Sequence, residues 1–227
     1  MNDIKKGAWV EKQLADEAEL ELINRHTLTP QTAESLFLFK IAACDNQVDR
    51  DMERFTEGTL DEMAEAFVGK TVLRDHDWSA NSQTARIYAG GTEMKEGVKR
   101  LILRCYMPRS NRTAGTVAAI ESGILREVSV GCAIKRAVCS VCGEDYYTCP
   151  HHKGEEYDGK TCHVDLDGLA DAYEVSLVAV PAQPGAGVVK AKAPENMTPP
   201  ADAGDNTPDR LAAEARQRQE EKRYGGN

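Results

Sequence analysis

Four cysteines, Cys139, Cys142, Cys149 and Cys162, crowd into 24 residues of a 227-residue chain, and no other feature constrains the fold as strongly. The segment that carries them, AVCSVCGEDYYTCPHHKGEEYDGKTCH, has too few apolar residues to hold a structure by burial. No apolar run of signal-peptide type opens the chain, so the crowding points to a metal rather than to a disulfide framework. Cys139 and Cys142 have the CxxC spacing that lets two thiolates grip one zinc ion from a tight turn. Cys149 and Cys162 complete an all-thiolate tetrahedron, and His151 can replace one of them. So thiolate-rich a set suits a closed, structural site for one zinc ion. A catalytic zinc would need an open position for water and a base beside it, and no obvious base accompanies the cluster. Bound metal contributes on the order of 10 kcal/mol to such a module. Cys44, Cys105 and Cys132 lie in apolar stretches and read as small core residues. No feature calls for an organic cofactor.

Strand-like runs flank the cysteine-rich insertion, 139–163. In ILREVSVGCAI (124–134), Val128, Val130, Cys132 and Ile134 share one face, which turns Ser129 to the other face with Glu127 and Gly131. In DAYEVSLVAV (171–180), Glu174 and Ser176 lie opposite Val175, Leu177 and Ala179. SLFLFKIAAC (35–44) reads as a buried strand, VKRLILRCYM (98–107) as another, and a short strand around Val72 and Leu73 delivers DHDWS. The clearest helix is 59–68, with Thr59 and Glu62 as a capping box, an apolar stripe of Leu60, Met63, Ala64, Phe67 and Val68, and Gly69 at its exit. A second helix, about 112–122, ends at Gly123. These elements predict an α+β domain over 29–190, with a mainly antiparallel, barrel-like β core flanked by helices and a small zinc-knuckle insertion.

Residues 1–28 read as a charged N-terminal arm, in which LADEAELELI (14–23) is amphipathic but marginal alone. Four of the nine prolines fall within 191–227, which reads as a flexible, disordered linker and polar tail, with a solvated helix expected over 209–223. Hydrophobic residues make up 41% and charged residues 29%, ordinary for a soluble globular protein. A net charge of −9 lacks the basic patch that nucleic acid requires, and no apolar stretch is long enough to span a membrane. A zinc-ribbon nucleic-acid binder is disfavoured on the same charge, and a cytoplasmic protein is expected.

Serine catalysis needs a base within reach and a third group that orients the base. Of five histidines, His151, His152 and His163 lie in the cysteine-rich insertion and His26 in the arm, which leaves His76 as the one positioned like a base at a strand end. Glu174 is the candidate orienter, since a carboxylate on a mainly apolar strand must be paired if buried. Asp75 and Asp77 are alternative orienters, and Ser176 competes with Ser129 as nucleophile.

The ordered segments DHDWS, ESGILREVSVG and YEVSLVAVPAQPGAG, with FKIAACDNQVDRDMERF upstream, resemble the prohead (capsid maturation) serine proteases of tailed bacteriophages, relatives of the herpesvirus assembly proteases. The resemblance covers roughly 30–190. It implies a β-barrel wrapped by helices, with Ser129 as nucleophile, His76 as general base and then acid, and Glu174 as orienter. The herpesvirus branch has a histidine at this third position, and Glu174 departs from that branch. It further implies an endopeptidase that cleaves scaffold and capsid precursors, and itself, inside the assembling prohead in the host cytoplasm, with self-association important for activity. Backbone amides of loop 181–187 are candidate oxyanion donors. The rival reading is a non-catalytic capsid assembly or scaffolding protein that keeps the protease-like fold and docks through its zinc knuckle and tail.

Overall fold

The computed structural model describes residues 16–189. In chain order its elements are α1 (Glu17–Asn24), β1 (Leu36–Asp45), β2 (Glu53–Phe55), α2 (Glu57–Ala66), β3 (Thr71–Arg74), β4 (Ala85–Lys95), β5 (Val98–Pro108), α3 (Ala114–Glu121), β6 (Glu127–Cys139), β7 (Glu156–Tyr157), β8 (Lys160–Thr161), β9 (Val164–Val178) and β10 (Gly187–Val189). Pairing runs β9-β3-β4-β5-β1-β10-β6 and returns to β9, which closes a seven-stranded barrel, with β2 added on β9. Only β3 and β2 pair parallel, both with β9. The architecture is thus mostly β with few helices, where the strand and helix pattern predicts α+β. Closure leaves few sheet edges for a second layer of helices to cover, although β10 meets β6 only at Glu127 and the rest of that β6 edge stays open.

Period-two burial fills the barrel. Ile41, Ile87, Leu101, Leu103, Val128, Val175 and Leu177 are almost wholly buried in one core, and α2 adds Leu60, Met63 and Ala64 to it, with Phe67 at its C-cap. The helix sits so close to β4 that a Cβ on Gly90 would run into the Ala64 carbonyl. The expected helix 59–68 begins two residues earlier, because Thr56 is its cap and accepts from the Thr59 amide. Thr59 and Glu62 do not form a capping box. The Thr59 hydroxyl donates to Leu166 O and accepts from the Gly168 amide, and Glu62 accepts from the Leu169 amide, so both tie α2 to β9. Val68 falls beyond the helix and is exposed.

Strand β4 is an element that the sequence reading omits. It pairs with β5 through a two-residue turn, Glu96-Gly97, in which both residues have positive φ (54° and 79°), the conformation of a tight hairpin. The strand expected at 171–180 starts seven residues earlier, at Val164, directly out of the cysteine-rich module. Within the expected charged arm, 1–28, the described residues include α1, which docks on the barrel through Ile23. Asp16 caps α1, Ile23 is buried with Leu36, Tyr88 and Tyr106, and the Tyr88 hydroxyl donates to Glu19 at 2.8 Å. The remainder of the arm, residues 1–15, and the linker and tail, 191–227, lie outside the described residues. No helix among the described residues is long and apolar enough to cross a membrane.

Candidate active site and metal centre

Strands β6 and β9 run antiparallel with Ser129 opposite Ser176 and Gly131 opposite Glu174, so all four residues present to the same face. Strand β3 lies on the other side of β9, with Thr71 beside Glu174 and Leu73 beside Ser176. Just past the end of β3 the chain reverses sharply over that face. Asp75 and His76 both have positive φ, 53° and 54°. Neither is glycine, and successive left-handed residues are costly enough to persist only where their surroundings hold them. Here the Asp75 amide donates to Leu177 O at 3.0 Å and the His76 amide donates to Ser176 Oγ at 3.0 Å.

This reversal lays the His76 ring on Glu174, with Nδ1 2.7 Å from Oε1. The second carboxylate oxygen accepts from Ser176 Oγ at 2.6 Å. Both Glu174 oxygens are thereby engaged, which is what permits a carboxylate only 2% exposed. The pairing assigns the proton to Nδ1 and leaves Nε2 as the basic nitrogen. The His76 side chain stays 42% exposed. Asp77 is not an orienter, since its carboxylate serves the Ser79 amide and the Ser79 and Ser82 hydroxyls, and no hydrogen bond joins Asp75 to the ring. Ser176 is fully buried with its hydroxyl spent on Glu174 and the His76 amide, which corrects its reading as a competing nucleophile. Its hydroxyl supports the Glu174–His76 pair, a placement that strand periodicity could not separate from that of Ser129. Ser129 is half-buried, and among the described residues its hydroxyl has no hydrogen-bond partner.

Gly131 is explained by the same geometry, because a Cβ there would collide with Glu174 Oε1. Gly131→Ala is expected to displace the carboxylate from His76 and to lower any Ser129-dependent activity at least about tenfold while the barrel stays folded. Unchanged activity together with an unchanged melting temperature would contradict this packing. One residue along, β9 carries a bulge at Tyr173, between the Gly131/Glu174 and Cys132/Ala172 pairs, and Tyr173 packs against Trp78 in a tilted arrangement with ring centroids 5.5 Å apart.

Ser129 opens onto a groove of about 560 Å³ that also touches loop 182–186, the turn around 49–53 and the cysteine-rich module. From 128 to 136 the edge of β6 facing away from β9 has no backbone partner among the described residues. Its β10 pairing is at Glu127, and the module returns only at the Ala137 carbonyl, which accepts from Tyr146. Gln183 fixes the loop: its Oε1 accepts from the Asp45 amide at 2.6 Å and its Nε2 donates to Asp45 O at 3.0 Å.

In the module, the thiols of Cys139, Cys142 and Cys149 and a ring nitrogen of His151 lie within 4.8 Å of one another, a cluster that could bind a metal ion and is compatible with structural zinc. The residues fit such an ion on two counts. Three soft sulfurs and an imidazole are a zinc donor set, and His151 Nδ1 is buried with no hydrogen-bond partner. A knuckle forms the first half: the Gly143 amide donates to Cys139 O at 2.8 Å and Gly143 takes φ +78°. Burial would raise the Cys139 thiol, but the Cys142 and Val141 amides and adjacent thiols outweigh it and bring it down to about 6. Cys162, the other expected ligand, lies with Sγ 3.8 Å from Cys139 Sγ but outside the four-donor group. Its amide and carbonyl pair with Glu155 and Gly154 at the base of the β7–β8 hairpin.

No protein-family model matches the chain, and neither a curated protein nor a solved structure matches it.

Proposed function

We propose that the chain is a serine endopeptidase of phage capsid maturation, which cleaves scaffold and capsid precursor proteins and its own chain inside the assembling prohead. The observation that carries the hydrolase reading is the Glu174–His76 pair on the barrel face shared with Ser129. The capsid assignment rests on the sequence resemblance. His76 Nε2 takes the Ser129 proton as Oγ attacks a peptide carbonyl carbon. The imidazolium, held by the Glu174 carboxylate, then protonates the leaving amine as the C–N bond breaks. Water, deprotonated by the same Nε2, hydrolyses the acyl-enzyme and returns Ser129. Positioned acid–base help of this kind is worth roughly 10²–10⁴ in rate. Amides of loop 181–187, which borders the same groove, are the candidate oxyanion donors. The open edge of β6 offers main-chain pairing to an extended substrate. One structural zinc ion held by Cys139, Cys142, Cys149 and His151 clamps the module that joins β6 to β9. Capsid and scaffold proteins are the partners, self-association supports activity, and neither nucleic acid nor membrane has a part.

A serine-directed fluorophosphonate tests the nucleophile. The expected result is one adduct per chain, mapped to Ser129 and absent after His76→Ala. Labelling elsewhere, or none, would contradict it. The unpartnered Ser129 hydroxyl favours a second reading, a non-catalytic capsid assembly protein that keeps the fold and docks through the zinc module and tail; it predicts no adduct.

A further inference from the structure

The groove beside Ser129 carries an excess of negative charge. Its two cations are already engaged, Lys135 with Glu62 and Arg136 with Asp167, and Glu53 is engaged with Lys153. Asp49, Asp51 and Asp145 also line it, and among the described residues none of the three forms an ion pair. Asp145 comes from the cysteine-rich module, where its carboxylate accepts only from the Tyr147 amide, and Tyr147 beside it is 82% exposed at the groove. A carboxylate next to an uncovered aromatic ring suits a guanidinium, which pairs with the one and stacks on the other. The partnerless stretch of β6 along the groove suits an extended backbone.

We infer that the groove binds an extended, arginine-bearing polypeptide, and that Asp145 and Tyr147 make the cysteine-rich module one wall of the substrate cleft. This rests on the endopeptidase reading for the meaning of "substrate", but the binding itself does not require catalysis. The module then has two roles, to brace β6 against β9 and to select what lies beside Ser129. As a free peptide, the sequence of residues 207–219, TPDRLAAEARQRQ, carries arginines at 210, 216 and 218 and is too short to hold the helix expected over 209–223, so it can lie extended.

The test uses the full chain carrying Ser129→Ala, so that nothing is cut, and a fluorescein-labelled peptide of residues 207–219, read by anisotropy at low salt. The expected result is binding about tenfold tighter than for the same peptide with its three arginines replaced by glutamine, a preference that shrinks as salt rises. Adding Asp51→Asn and Asp145→Asn, which remove charge and keep shape, should bring the two peptides within about twofold, and Tyr147→Ala should weaken the arginine peptide selectively. Equal binding of both peptides, or a preference that survives the double substitution, overturns the inference. Cleavage by the wild type without arginine preference sinks this inference alone, and arginine preference without cleavage sinks the endopeptidase reading alone.

Discussion

On the proposed mechanism, Glu174→Gln should slow peptide cleavage by about 10²–10⁴ while the barrel remains folded. Glutamine keeps the shape of the buried side chain and can still accept from His76 Nδ1 or donate to Ser176, so packing changes little. It removes the negative charge that stabilises the imidazolium, and it lets the ring settle with its proton on the wrong nitrogen. Ser176→Ala should cost less, since it loses one hydrogen bond to the carboxylate and the support of the His76 amide but keeps the charge. Because nucleophile, base and orienter act as a unit, Glu174→Gln added to Ser129→Ala should slow cleavage no further. The measurement is the first-order rate of self-cleavage at matched concentration. A Glu174→Gln rate within threefold of wild type would show that His76 works without its carboxylate, or does not work as a base.

Removal of a metal held by the cysteine-rich module should unfold the module and silence a Ser129-dependent activity from a distance. The described module residues have few buried apolar side chains, so a bound ion would supply on the order of 10 kcal/mol of its stability. Its two ends are Cys139 and Val164, directly paired at one end of the β6–β9 ladder, and the same ladder carries Ser129 opposite Ser176. Fraying that starts at Cys139 therefore travels toward the nucleophile. After chelation under reducing conditions, with metal loss confirmed by mass spectrometry, hydrogen exchange should accelerate across 139–163 first and along β6 next, and cleavage should fall. Full activity and full protection in metal-free protein would contradict the bracing role. Cys162→Ser should retain one bound ion per chain, whereas Cys139→Ser should not.

Legibility in the sequence followed the range of the interactions. Period-two alternation was enough to set Ser129 apart from Val128 and Val130 and Glu174 apart from Val175, because that pattern is local to each strand. Strand registry, by contrast, depends on contacts between distant segments, so the roles of Ser176 as support and Gly131 as clearance for Glu174 had no local signal. The cap at Thr56 was missed because Thr59 followed by Glu62 has the same spacing as a capping box, and only the pairing with Leu166 and Gly168 shows what Thr59 does. Strand β4 was hidden by Gly90 and Gly91, which weaken a strand pattern in isolation; Gly90 is required by its approach to α2. A signal that could have found β4 was the Glu96-Gly97 pair between two apolar runs. Five metal donors were visible and four converge, a choice made by the tertiary path of residues 149–162.

The most direct measurement is a time course of intact mass for freshly purified wild type beside Ser129→Ala, at high concentration and with scaffold or capsid protein supplied. A serine endopeptidase built on Ser129, His76 and Glu174 predicts fragments that accumulate in the wild type and are absent from the variant, with the cut sites reporting specificity. Both proteins remaining whole, or both breaking down alike, would contradict it and leave Ser129 an ordinary strand serine in an assembly protein.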